Sequence, residues 1–154
     1  EIYLLDNAHF DRRKVLTLLQ NAAKGIADFY MKAKAMDKGS NYVTLPGTFD
    51  CNWHSNDHWS CITGNAQIEF FLRKIAKYTN DHQLIHVADF LLDDIKQLHL
   101  LDDVSDKNVY GGLPGSYPIG GGYCAYKIPD WGVKFFADSL LQRIFTNDKL
   151  RYLG

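Results

Sequence analysis

Apolar side chains return every three or four residues over residues 11–36, at Val15, Leu18, Leu19, Ala22, Ile26, Phe29, Tyr30 and Ala33, the spacing of one helix face. Asp11 is placed to cap the start, and Lys38-Gly39 supplies a stop. The same periodicity predicts a second helix over about 64–78, carrying Ala66, Phe70, Phe71, Leu72, Ile75 and Ala76. A third, over about 82–100, sets Leu84, Ile85, Ala88, Leu91, Leu92, Ile95 and Leu98 on a broad stripe. A fourth, over about 130–145, carries Trp131, Phe135, Phe136, Leu140, Leu141 and Ile144. No long alternating run of β-branched residues competes with these helices. The pattern predicts an all-α chain.

The first and third helices pair an apolar stripe with a charged face, as outer helices do; the second and fourth are apolar around more of their circumference, which predicts burial on several sides. Thr79-Asn80-Asp81 joins the second to the third in a turn short enough for antiparallel neighbours. The loops before the second and fourth helices, about 40–63 and 101–129, are long. Thr146-Asn147-Asp148 follows the fourth helix as Thr79-Asn80-Asp81 follows the second, and Asp57-His58-Trp59 and, more loosely, Asp130-Trp131 stand at the helix starts. Read as a repeat, the unit is outer helix, long loop, inner helix, short turn, over about 8–81 and 82–154 of one domain, 1–154. Both long loops then leave at the same end, as α/α hairpins do in an α/α toroid. Two units do not close a ring, so the expectation is a fragment or partial toroid. Self-association is the alternative way to cover its apolar sides.

Two segments add to this: Ser60-Cys61-Ile62-Thr63-Gly64-Asn65-Ala66-Gln67, and Gly115-Ser116-Tyr117-Pro118-Ile119 followed by Ile128-Pro129-Asp130-Trp131-Gly132-Val133-Lys134-Phe135-Phe136-Ala137-Asp138. They resemble α/α-toroid proteins, largely uncharacterised bacterial ones similar to the six-hairpin glycosidase and terpenoid-cyclase-like groups, some linked with polysaccharide synthesis. The resemblance covers roughly residues 50–146 and speaks to fold more than to activity, because toroids host unrelated chemistries. Such relatives often carry an aromatic residue where Gly120 stands here, so the stacking platform is expected to be weaker at that point.

Composition narrows the partners. With a formal net charge of -1 and no basic stripe beyond Arg12, Arg13 and Lys14, a nucleic-acid partner is not expected. No apolar run is long enough to span a bilayer, and the start has no signal-peptide layout. The chain lacks a starting Met and reads as cut from something longer. Cys51, Cys61 and Cys124 cannot all pair internally, which favours a cytoplasmic, reducing setting and leaves one disulfide plus a free thiol open.

Candidate chemistry falls in the two long loops. Asp57 and Asp130, before or at the helix starts, would face one mouth, where two carboxylates can act as general acid and base on a glycosidic bond; the six-hairpin resemblance implies acidic residues in such a mouth. An Asp at a helix start is also an ordinary cap. Histidine is a residue type suited to acid–base work, which marks His54 and His58, and His58 joins Asp57 and Asp130 as a catalytic candidate. Cys51, His54, His58 and Cys61 offer a Cys-x2-His-x3-His-x2-Cys set that zinc accepts, although structural sites usually begin with closely spaced cysteine pairs. The expectation is no cofactor, with zinc the alternative.

Flat rings with a polar edge suit sugar faces, which marks Trp53, Tyr117, Tyr123 and Tyr126 as saccharide-binding candidates, with Asn65 and Gln67 at the start of the second helix, where both amides equally suit its free backbone groups. Trp59 and Trp131 are expected to pack at helix–loop junctions instead. Gly111, Gly112, Gly115, Gly120, Gly121 and Gly122 do not form a phosphate loop, since no Gly-x-x-x-x-Gly-Lys-Ser/Thr is present. The leading reading is a carbohydrate-active or carbohydrate-binding domain taking a saccharide or other small ligand, hydrolase-like if enzymatic. The alternatives are a non-catalytic structural or interaction module and a terpenoid-cyclase-like domain; against the last, the chain has no Asp-rich motif.

Overall fold

A computed structural model describes residues 11–36, 44–101 and 105–151, with side chains described as far as residue 145. Asp11 caps the first helix as expected: its Oδ1 accepts from the Lys14 N–H at 3.1 Å, and α1 runs Arg12–Met36. Its stop at Lys38-Gly39 lies outside the described residues. The α1 face carrying Ala23, Ala27 and Tyr30 is buried, with Leu19, Ile26 and Phe29 packed beside it.

The second helix, α2 (Ile62–Thr79), begins slightly earlier than its apolar pattern because Cys61 caps it, its Sγ accepting from the Gly64 N–H at 3.3 Å. It ends at Asn80, whose left-handed backbone (φ 54°) turns the chain. Asp81 then closes α2 by donating its N–H to the Ala76 carbonyl at 3.1 Å, and opens α3 (His82–Lys96) by accepting from the Gln83 and Leu84 N–H groups. Two polar residues thus end one helix and start the next. α3 stops earlier than its stripe predicts. Gln97, Leu98 and His99 continue with tighter i−3 bonds, and Leu100 pairs with Gly111 and Gly112 instead, so the second long loop pulls the chain out of the helix.

The fourth helix, α4 (Asp130–Arg151), corrects the repeat. The backbone stays helical through residues 146–148, so the second Thr-Asn-Asp turn does not exist. Those residue types permit a turn but do not impose one; at Asn80 the turn is fixed by α3 folding back onto α2. The assignment of inner and outer helices changes too. α2 is central, with α1, α3 and α4 all packed on it. α3 is buried along Leu84, Val87, Ala88, Leu91, Leu92 and Ile95, whereas α4 buries Gly132, Phe136 and Ser139 but exposes Leu141, Ile144 and Phe145. Apolar circumference misjudged α4 because, among the described residues, only one of its sides meets neighbouring helices.

Two ionic clusters, each running from a buried group to a partly exposed one, link the helices. Arg73 on α2 donates through Nε and Nη2 to Glu69 Oε1 at 2.8 and 2.6 Å, and through Nη2 to Asp89 of α3 at 2.8 Å. Arg143 of α4 reaches Asp93 at 2.7 Å. Glu69 is fully buried, and its Oε2 finds no donor among the described residues. Across the α1–α3 contact, Asp94 accepts from the Tyr30 hydroxyl and from Lys34 Nζ at 2.7 and 2.9 Å. Burial, then the bond to Asp94, drives the Tyr30 hydroxyl well above its ordinary pKa. Among the described residues, no helix is long and apolar enough to cross a membrane.

Candidate functional site

The two long loops are bound to each other where they approach the helix starts. β1 (Ser60–Cys61) and β2 (Ser116–Tyr117) pair antiparallel, Ser60 opposite Tyr117 and Cys61 opposite Ser116. The Ile62 N–H donates to the Gly115 carbonyl at 3.0 Å, carrying the junction into the first turn of α2. Gly132, in the first turn of α4, lies against Thr63, so α2 and α4 begin side by side. The expected common end for both loops is therefore present, built on a two-stranded patch.

Trp59 is the wedge between the loops. A Cβ on Gly47 would stand 2.3 Å from its ring, and one on Gly122 would stand 2.7 Å away, so the indole is pressed between backbone of both loops. The Gly47 N–H donates to the Trp59 carbonyl at 2.9 Å. Trp59 packs as expected, and part of it also lines a cleft of about 450 Å³ with Phe29, Asp57, His58, Tyr117 and Pro118. Asp57 Oδ2 accepts from the Thr48 hydroxyl at 2.7 Å, and the Asp57 N–H donates to Ser55 Oγ at 3.1 Å, so the carboxylate is held in place. Ser116 is buried under this junction and exchanges hydrogen bonds with the Tyr123 backbone.

The candidates separate into those this cleft gathers and those it does not. Asp57, His58 and Tyr117 come together. Asp130 does not line the cleft: it sits exposed at the start of α4, where its Oδ1 accepts from the Trp131 N–H at 2.8 Å. Trp131 is about half exposed, and its Nε1–H donates to the Tyr123 hydroxyl at 2.8 Å, so that pair forms a separate aromatic edge. Tyr126 is exposed over most of its surface, and its hydroxyl lies over Gly120, where a Cβ would stand 2.8 Å away. An aromatic ring therefore occupies the neighbourhood of Gly120 after all, supplied from residue 126.

Asn65 works inside the fold rather than at the cleft surface. It is 1% exposed, accepts from the Leu45 N–H at 2.8 Å, and donates to the Leu45 and Cys61 carbonyls at 3.2 and 2.7 Å. It pins the first loop to the start of α2. Asn65→Ala is expected to lower stability by about 1–3 kcal/mol, since it strands the buried Leu45 N–H; urea denaturation at neutral pH measures the loss, and an unchanged midpoint would contradict it. Gln67 is exposed on α2, outside the cleft.

The four-ligand zinc arrangement is not formed. Among the described residues no three His, Cys, Asp or Glu side chains gather as a metal set. Cys61 is committed to capping α2, and burial raises its thiol pKa, disfavouring the thiolate a metal needs. Cys51 is exposed, and His54 Nδ1 lies 3.5 Å from Asp50.

Asp50 has an organising role that the sequence reading overlooked. Its Oδ1 accepts from the Asn52 and His54 N–H groups at 2.8 Å each, bonds that hold its carboxyl below the ordinary range. This Asx-type turn places Trp53 at φ 63°, a left-handed backbone rare for a bulky residue. Asp-x-Asn was the available signal. Phe29 was read only as part of the α1 stripe, yet it floors the cleft. Comparison of the chain with models of known families, with curated proteins and with solved structures finds no match.

Proposed function

We propose that this chain is a carbohydrate-binding domain of the α/α-toroid type, holding a saccharide in the cleft between its two long loops. The observation that carries the reading is the meeting of Trp59, Tyr117 and Phe29 with Asp57 and His58 in one cleft. Ring faces suit the C–H faces of a pyranose, and a fixed carboxylate accepts from its hydroxyls. At about 450 Å³ the space lies within the range of small-molecule sites. Asp57 is already oriented by Thr48, so binding does not have to order it.

The reading is binding rather than hydrolysis. Two-carboxylate cleavage needs a pair roughly 5–9.5 Å apart across the scissile bond. Among the described residues, Asp57 is the one carboxylate that lines this cleft. Isothermal titration calorimetry against neutral, uronic-acid and amino-sugar oligosaccharides tests the proposal. At least one class is expected to bind, and Tyr117→Ala, altering a side chain 40% exposed, is expected to weaken it about tenfold, or about 1.4 kcal/mol. Binding that ignores Tyr117 would move the site elsewhere; silence across the panel would end the reading.

A further inference from the structure

We propose that the saccharide site is one half of a longer groove, so that the ligand is an oligosaccharide chain rather than a single sugar; this rests on the binding reading above. A second cleft, of about 850 Å³, lies beside the first and shares Phe29 and Ser55 with it. Its distinguishing side chains are Trp53, Asn52, Asn56, Asp28 and Lys32, with α1 as the common floor. Beneath the surface, Phe49, packed against the core, bridges an aromatic ring of one cleft to that of the other. The Phe29 and Phe49 centroids are 4.9 Å apart, edge to face, and those of Phe49 and Trp53 are 5.7 Å apart. Phe29 thus belongs both to the Trp59–Tyr117 cleft and to the chain of rings that ends at Trp53.

The far end is preorganised. Trp53 is held in its left-handed backbone by its own N–H to the Asp50 carbonyl at 3.1 Å and by the Asp50 turn around it. The ring lies against Gly25, where a Cβ would stand 2.5 Å from Cε2, yet Trp53 still lines the cleft and is only partly buried. A strained backbone at a half-buried aromatic, supported by several hydrogen bonds, is what a fixed recognition residue requires. Amide and hydroxyl-bonding groups flank it, as sugar hydroxyls need. A chain lying along α1 would place successive rings on Tyr117 and Trp59, then over Phe29, then at Trp53.

Length dependence separates this inference from the reading beneath it. The full chain is titrated with cello-, malto-, xylo-, chito- and galacturono-oligosaccharide ladders of two to six units. For the ladder that binds, affinity is expected to rise at least tenfold from disaccharide to hexasaccharide. Trp53→Ala is expected to abolish the rise. Because Trp53 also packs, the unmodified chain supplies a second measurement: hexasaccharide but not disaccharide shifts the backbone amide resonances of Asn52, Trp53 and Asn56. Equal affinity for all lengths, or no hexasaccharide-specific shifts, overturns the extended groove and leaves the single cleft standing. If no ladder binds at all, the binding reading fails, and the groove with it.

Discussion

Arg73→Ala is expected to destabilise the fold by about 3–5 kcal/mol, the usual loss when one partner of a buried ion pair is removed. Glu69 is fully buried and Arg73 is 4% exposed, so no solvent is available to replace the guanidinium. The same substitution removes one ion pair between α2 and α3 and leaves Asp89 with Arg143 at 3.4 Å. Against a total stability of about 5–15 kcal/mol for an ordinary domain, this alone brings the chain near unfolding. The loss should shrink in acid. Burial, opposed in part by Arg73, holds the Glu69 carboxyl above its ordinary pKa. The folded state therefore keeps this proton at pH values where the unfolded chain has released it. Ionising Glu69 thus costs stability as pH rises through the folded value, and lowering the pH relieves that cost. Without Arg73 the relief is larger. Urea denaturation of wild type and variant at pH 7 and at about pH 5 measures both effects; a deficit independent of pH would contradict the assignment. Pairing Glu69→Gln with Arg73→Met should recover much of the stability, as neutral replacements of buried pairs often do.

Trp59→Ala is expected to cost about 3 kcal/mol, the low end for removing a large aromatic residue, because part of the ring faces the cleft. The loss falls on contacts between the loops rather than on helix packing. Gly47 and Gly122 both close onto one indole, and without it both loops lose their common surface. Melting should drop by roughly 10 °C for a chain of this size, with helical content by circular dichroism preserved below the transition. Saccharide affinity should fall more than in Tyr117→Ala, because the cleft loses both a wall and its shape. A melting point within about 2 °C of wild type would deny Trp59 its wedge role.

The sequence made the helices legible because their stabilising pattern is local. Asp11, the α2–α3 turn and the α3 stripe follow from spacing and capping chemistry alone. The meeting of the two long loops also came through, since alternating long and short connections force them to one end. What failed depended on partners. α4 reads as apolar around much of its circumference, but a pattern of residue types cannot say how many neighbours a helix has. Asn65 reads either as a ligand contact or as an amide satisfying free backbone groups near a helix start, and its bonds to Leu45 and Cys61 make it the second. Asp57 and Asp130 occupy similar positions before two helices, but only Asp57 is gathered into the cleft. Glu69 and Arg73 stood four residues apart within an apolar stretch, a visible signal for a buried pair that the apolar periodicity overshadowed.

The most direct test of saccharide binding between the loops is a proton–nitrogen correlation titration of the unmodified chain with the tightest-binding oligosaccharide. Saturable shifts at the Trp59 indole N–H and the Asp57, His58 and Tyr117 amides, with Asn65 and Gln67 little changed, are the result predicted here. Shifts confined to Tyr126 and Trp131, or no saturable shift anywhere, would contradict it.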